Sequence, residues 1–181
     1  NQWVNSAERW MPIDVWDACK TELPDLAGRP CYAGLDLSST TDLTALALVW
    51  PLDDGQFAVK VDFWIPEEAM RERERKDRVP YSQWVRQGLI HATPGNVLDY
   101  GYILQDLRDK LSNGIDIQEL AFDRWGSQKL VADLADNGFQ IDPKVQGRHL
   151  IQFGQGYASM SPPTKELMTL CLQKKLIHDG H

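Results

Sequence analysis

The sequence lacks the features that mark several large classes of protein. Its three cysteines stand far apart and form no CxxC pair, which argues against a zinc site and a disulfide framework and suits a reducing compartment. The longest apolar run, residues 43–50, is far shorter than a membrane-spanning helix. The first residues, NQWVNSAERW, have neither the basic start nor the apolar stretch of a secretory signal. We therefore expect no membrane partner.

An excess of positive charge is also lacking. The net charge is −7, which by itself counts against a nucleic-acid binder, because such proteins neutralise phosphates with Lys and Arg. The charge is unevenly spread, however: the stretch RERERKDR, residues 71–78, holds five of the nineteen basic residues. Carboxylates that bind divalent cations would also make the net charge of the metal-free chain more negative than that of the metal-bound protein. Net charge therefore does not decide the question.

The length of 181 residues allows one good core and excludes two large domains. The chain begins without Met, so we expect a piece of a longer protein. Strand-like runs at 31–37, 44–50 and 56–65 are joined by the short turns SSTTD and PLDDG, which predicts an antiparallel meander. The following segment, EEAMRERERKDR, has no apolar stripe and is interpreted as a solvated helix or a mobile loop.

From Pro80 onward the pattern changes to alternating strands and helices. The predicted strands are 89–92, 118–122 and 145–153. One predicted helix is capped by Asp99 and ended by Gly114, another is capped by Ser127 and ended by Gly138, and a third opens at Ser161-Pro162-Pro163. The predicted fold is α/β, with a mixed central sheet (an antiparallel βββ meander, then βα units) flanked by helices.

Two acids stand out by position. Asp36 lies in the first strand, where aspartate is disfavoured, and Asp123 ends a later strand. In open α/β sheets, ligands bind beyond the carboxyl ends of the central strands. If these strands are parallel neighbours, their carboxylates converge on a site with the hard oxygen ligands of Mg²⁺. Two such metals about 4 Å apart can hydrolyse a phosphodiester.

Each candidate residue also has an ordinary explanation. Asp36 can be a bulge, edge or turn residue, and Asp42 can close the SSTTD turn through Asx and Ser/Thr hydrogen bonds. Asp123 can pair with Arg124 at the surface, and residues 71–78 can be a solvated face. His178 is expected to be structural, and Gly154-Gln155-Gly156 is only a weak phosphate-loop match without a following GK[ST].

One mimic of the first hairpin needs separate attention. GLDLSSTTD resembles the first phosphate motif of the actin, sugar-kinase and heat-shock ATPase superfamily, whose core is also a βββαβα sheet. Ser38 stands where that motif has the glycine that approaches phosphate. The chain is also too short for two domains that clasp a nucleotide. A nucleotide binder therefore ranks below a nuclease.

Three blocks of the sequence resemble one known family, the large terminase subunit of tailed bacteriophages and prophages, in its C-terminal nuclease domain. They are GLDLSSTTDLTALALVW, ELAFDRWGSQKLVADLADNGF and FGQGYASMSPPTKELMTLCLQKKLIHDGH. The resemblance implies an RNase H-like fold and a Mg²⁺- or Mn²⁺-dependent endonuclease with a two-metal site. Such an enzyme cuts concatemeric double-stranded DNA at the start and end of capsid filling, in the cytoplasm of the bacterial host.

The resemblance also implies roles for individual residues. Asp36 and Asp123 are the catalytic metal ligands, and Asp42 is an acidic residue in support. The family's third acid lies on a later helix in a Lys-Ile-Asp-Gly-like motif, so it is expected beyond His181 rather than at Asp179. We further expect the basic segment to contact DNA phosphates through its five cations: Arg71, Arg73, Arg75, Lys76 and Arg78.

The domain organisation follows from the same resemblance. Residues 1–30 are expected to be a lead-in from a missing ATPase domain, since no GxxxxGK[ST] motif occurs, and residues 31–181 a nuclease domain truncated at its C-terminus. Implied partners besides DNA are the ATPase domain, the small terminase subunit and the portal protein. One alternative of another class stays open: a catalytically incomplete assembly module whose exposed tryptophans dock the motor or portal.

Overall fold

The fold is built on a single mixed sheet. The computed structural model describes residues 10–37, 42–123, 128–142 and 144–180. The strands are β1 Pro30–Asp36, β2 Thr44–Pro51, β3 Phe57–Pro66, β4 His91–Thr93, β5 Asp116–Asp123, β6 Phe139–Gln140, β7 Arg148–Phe153 and β8 Leu176–His178. The helices are α1 Ile13–Asp17, α2 Glu67–Asp77, α3 Tyr81–Arg86, α4 Tyr100–Ser112, α5 Gln128–Asp136 and α6 Tyr157–Leu172.

The predicted meander forms one half of the sheet. β1 pairs antiparallel with β2, and β2 pairs antiparallel with β3, because the connections between them are too short for a crossover. Across the sheet the order is β4–β3–β2–β1–β5–β7–β6, with β8 also paired to β3. β5 lies parallel to β1, and β7 parallel to β5. The fold class predicted from the sequence is confirmed.

The main core lies between one face of the sheet and helices α4 and α5. The Asp99 side chain caps α4 by accepting a hydrogen bond from the Gly101 amide at 2.9 Å, as predicted; Ser127, the predicted cap of α5, lies outside the described residues. The largest buried side chains of this core come from strands and helices alike: Leu46, Leu48, Trp50, Ile103, Leu107, Ile117, Leu120, Phe122, Leu130, Leu134 and Phe139. Each such Leu, Ile or Phe contributes about 1.5–3 kcal/mol through burial.

The other face of the sheet is only partly covered. At its β3–β8 edge, Cys171 of α6 packs with Cys19 and Leu176 in a second cluster that also contacts α1. Nearer the centre, Tyr32 of β1 is 42% exposed, although Cys31 and Ala33 on either side of it are buried. β1 therefore has one face in the core and one that is open.

Part of the lead-in packs against the sheet. His178 is 2% exposed and stacks on Trp16 with a ring-centroid distance of 4.2 Å. Its Nε2 lies 3.0 Å from the Trp16 carbonyl oxygen, and Lys20 forms a β-bridge with it. These contacts confirm the structural role expected for His178.

The last predicted helix starts at a different residue in the structure. The helix expected to open at Ser161 begins four residues earlier, at Tyr157, and contains Pro162 and Pro163. Proline removes a backbone donor and crowds the carbonyl four residues before it, but Ala158 and Ser159, which carry those carbonyls, are exposed and can be hydrated.

The segment after β3 is the helical alternative of the two that the sequence left open. α2 buries Ala69 and Met70 near its start, and Met70 packs with Ile65 and Ile90. These few apolar contacts hold the helix although it has no continuous apolar stripe. Within the described residues, none of the helices has the length and apolar character needed to cross a membrane.

Candidate active site at the carboxyl ends of β1 and β5

The two acids singled out by the sequence end two neighbouring parallel strands. Leu35 of β1 is in register with Phe122 of β5, and the next residue of each strand is Asp36 and Asp123. Adjacent strands lie about 4.8 Å apart, and registered residues of parallel strands point to the same face. The sheet therefore places the two acids at adjacent strand ends, on its open face.

The local sequence explains why both residues are accessible. Asp36 is exposed and Asp123 half-buried, whereas Leu35 and Phe122 point into the core. Alternation along each strand thus sends the apolar residue inward and the following acid outward. A charge at the last position of a strand keeps its contact with water, which avoids the cost of burying an unpaired carboxylate.

A third polar group joins Asp36 from a distant part of the chain. Gln155 donates a hydrogen bond from Nε2 to Oδ1 of Asp36 at 2.9 Å. Gln155 lies between the end of β7 and the start of α6. Sequence reasoning gave this glutamine no role: Gly154-Gln155-Gly156 was considered as a weak phosphate loop and as part of the third block of the family resemblance. The sequence offered one indication of a role for Gln155, namely its position just beyond a predicted strand, where ligands bind in open α/β sheets.

Asp42 has a different environment. It is exposed and forms an ion pair with Arg73 of α2, whose Nε also lies 3.2 Å from Asp77 Oδ2. The structure therefore joins Asp42 to α2, across the hairpin that follows β1. Residues 38–41 of that hairpin lie outside the described part of the chain.

The basic segment lies at the same end of the sheet as the two acids. α2 follows β3 directly, and β3 runs in the same direction as β1 because both are antiparallel to β2. Within this segment Arg73 is half-buried, whereas the other four basic residues are exposed: Arg71, Arg75, Lys76 and Arg78. The five cations thus divide into one that is held by acids and four that face solvent.

Asp179 lies apart from Asp36 and Asp123. It follows β8, pairs with Lys60 at 3.9 Å, and is separated from β1 by β3 and β2. Three strand spacings amount to about 14 Å. Among the residues that the structure describes, no group of three or more His, Cys, Asp or Glu side chains is arranged to hold a metal ion.

The donor set at the strand ends suits a divalent cation of the magnesium class. Two carboxylates supply hard oxygen ligands, and Mg²⁺ commonly takes one or two of these and completes its shell with waters and substrate phosphates. A cavity of about 640 Å³ lies instead near the opposite end of the sheet, beside Arg29 and Asp53. An open strand-end site is the better fit for a bulky polymer, which cannot enter a small cavity.

The order of strands, the antiparallel start and the acidic ends of two parallel neighbours define an RNase H-like α/β domain. The chain belongs to the family described as terminase large subunit, endonuclease domain, whose model matches residues 1–181. It is thus the nuclease domain of a large terminase subunit, as the sequence blocks indicated.

Individual relatives agree with this assignment. The chain is 36% identical over its whole length to the large terminase subunit of Enterobacteria phage HK97, covering 34% of that protein. It is 27% identical to protein YmfN of Escherichia coli strain K12, covering 40% of it. The crystal structure of the HK97 bacteriophage large terminase matches 95% of the chain with a TM-score of 0.80 at 35% identity, over 34% of that structure's chain. The chain therefore spans only about a third of the length of its phage relative.

Proposed function

We propose that this chain is a metal-dependent endonuclease domain that cuts double-stranded DNA, with Asp36 and Asp123 as ligands of Mg²⁺ or Mn²⁺. The observation that carries the proposal is the register of β1 and β5, which sets the two acids side by side at the open end of the sheet. Family membership supports the reaction class.

The chain's own residues would act by positioning and charge. Asp36 and Asp123 would hold divalent cations at the strand ends, on a face open enough for a DNA backbone. When both ions are bound, two-metal chemistry supplies an activated water and stabilises the leaving oxygen. The exposed cations of α2, which lie at the same end of the sheet, would contact phosphates on either side of the scissile bond and fix the register of the DNA.

The biological setting is proposed from the relatives. Similarity to the large terminase of phage HK97 suggests that the substrate is concatemeric viral DNA, cut in the cytoplasm of the bacterial host. We propose the same partners as the resemblance implied: an ATPase domain preceding this one, the small terminase subunit and the portal protein. The third metal ligand is proposed to lie beyond His181.

The test is Mn²⁺-dependent nicking of supercoiled plasmid by a protein that continues through the residues after His181, as wild type, Asp36→Asn and Asp123→Asn. Both variants should lose nicking and keep the thermal unfolding midpoint of the wild type, because Asn removes a charged ligand without changing size. Asp136→Asn, at the exposed end of α5, is the matched control and should cut normally. Undiminished cleavage by both site variants would refute the assignment.

Calorimetric titration separates this proposal from the assembly-module alternative. A nuclease site should show saturable Mn²⁺ binding that is lost in Asp36→Asn. A wild type with no saturable site would favour a docking module, for which Trp10, 51% exposed, is a candidate contact.

A further inference from the structure

The hydrogen bond between Gln155 and Asp36 joins the ends of two strands that are not neighbours. β7 pairs with β5, and β5 pairs with β1, so β1 and β7 lie about 9–10 Å apart. The side chains of Gln155 and Asp36, joined by a contact of 2.9 Å between Nε2 and Oδ1, therefore reach across the end of β5. Asp123 stands at that end.

The short loop that carries Gln155 is closely packed at its start. A Cβ atom added to Gly154 would lie 3.3 Å from the hydroxyl oxygen of Ser159, closer than most Cβ contacts. The loop thus folds back on the first turn of α6. Because β7 fixes one end of the loop and α6 the other, the backbone of Gln155 is held within reach of Asp36.

From this geometry we infer that Gln155 is a positioning residue for the metal-binding carboxylate of Asp36. The inference rests on the proposed metal site and adds a residue to it. An amide N–H facing an ionised carboxylate makes a charge-assisted hydrogen bond. That bond occupies one lone pair of Oδ1 and holds the carboxyl plane, which leaves Oδ2 to be directed at a cation.

The expected effect is a weaker metal site rather than a weaker fold. Residues that hydrogen-bond to metal ligands typically account for 10–100-fold in metal affinity. Gln155 is exposed, so water can replace part of its contribution, and we expect the lower end, about tenfold. Because the side chain is not part of a core cluster, its loss should leave the stability of the metal-free protein unchanged.

The test compares Gln155→Met, which keeps the length of the side chain but removes the donor, with Gln152→Met on an exposed position of β7. In the same protein, continued through the residues after His181, Mn²⁺ binding is titrated by calorimetry, and thermal unfolding is followed without metal. Gln155→Met should raise the Kd for Mn²⁺ about tenfold at an unchanged unfolding midpoint, and Gln152→Met should match the wild type. Saturating Mn²⁺ should restore plasmid nicking by Gln155→Met but not by Asp36→Asn.

The outcomes distinguish this inference from the proposal beneath it. A wild-type Kd in Gln155→Met, with binding lost in Asp36→Asn, would overturn the role of Gln155 and keep the metal site. Absence of saturable Mn²⁺ binding in the wild type would overturn both. A lowered unfolding midpoint of the metal-free Gln155→Met protein would show a structural role instead, and so overturn the inference as well.

Discussion

The basic segment offers a sharp test, because the structure divides cations that are alike in sequence. Arg73 and Arg75 both belong to RERERKDR, but the Arg73 side chain is 19% exposed and contacts two acids, Asp42 and Asp77. Arg75 is exposed. We predict that Arg73→Gln mainly destabilises the fold, whereas Arg75→Gln mainly weakens DNA binding.

The magnitudes follow from the exposure of the partners. The pair of Arg73 with Asp77 has helical i, i+4 spacing and contributes about 0.3–0.5 kcal/mol. The pair with Asp42, whose side chain is 64% exposed, is screened by water and contributes at most about 1 kcal/mol. Loss of both corresponds to about 0.5–1.5 kcal/mol, or about 1–6 °C in the unfolding midpoint of a domain of this size.

DNA binding is measured without divalent metal, between 50 and 200 mM salt, so that no cleavage occurs. Loss of one phosphate contact lowers the slope of log K against log salt by about 0.9, which is a roughly 3.5-fold smaller fall in affinity over this range. Arg75→Gln should show this change at an unaltered unfolding midpoint. Arg73→Gln should keep the wild-type slope, and a double-mutant cycle with Asp42→Asn should give a coupling of about 0.5–1 kcal/mol. A flattened slope and an unchanged midpoint in Arg73→Gln would refute this division of roles.

Three further predictions concern groups outside the candidate site. Burial raises the pKa of the Cys31 thiol to about 12 and that of the Cys171 thiol to about 11. Mass spectrometry should therefore show that native protein at pH 8 resists alkylation by iodoacetamide. The stability that these two thiols contribute should be complete below about pH 8.5 and should fall as the pH rises towards 11. Burial would lower the pKa of Lys110, but hydrogen bonds to Asp106 and the charges of Asp62 and Asp106 outweigh this effect and raise the pKa. Lys110→Met should therefore lower the free energy of unfolding, measured in urea, by about 2 kcal/mol, which is less than the loss of a fully buried pair. An unchanged urea midpoint would contradict this prediction. His178→Ala removes a buried stacked ring and should lower the free energy of unfolding by about 2–3 kcal/mol. A decrease of less than about 0.5 kcal/mol would contradict this prediction.

The elements that local sequence determines were the predictable ones. The meander was predicted to within one or two residues, because alternation of apolar residues and short turns leaves few other arrangements. The helix that follows Asp99 was found from its cap and its apolar face in the same way. In each case the signal and the structure lie within about fifteen residues of each other.

The elements that sequence reasoning missed depend on distant contacts. β6 and β8 have two and three residues and exist because β7 and β3 offer them open edges. The start of α6 was wrong because a pair of prolines is typical of a first helical turn. Whether a helix can extend backward past prolines depends on solvent access to the preceding turn, which local propensity does not describe.

In the candidate site, too, the features that depend on local sequence were predictable and those that depend on distant contacts were not. The sequence placed Asp36 within the first strand and Asp123 at the end of a later one, and the structure shows that Asp36 also ends its strand. The parallel arrangement of the two strands was a condition that the sequence left open and the sheet order meets. Gln155 could not be assigned in this way. Its partner, Asp36, is 119 residues away along the chain, and nothing in Gly154-Gln155-Gly156 indicates the direction in which the amide points.

The position of Asp36 explains why β1 tolerates an aspartate. Aspartate is disfavoured within sheets, but this one occupies the last position of β1, where the next residue has left the strand. A distant amide satisfies one of its oxygens, and on the far side of the following turn Arg73 pairs with Asp42. The loop after β7 and helix α2 thus supply partners to the acids before and after the same turn. Both partners are distant in sequence from the turn, so the chain keeps a charge at the end of a central strand through contacts that the turn itself does not supply.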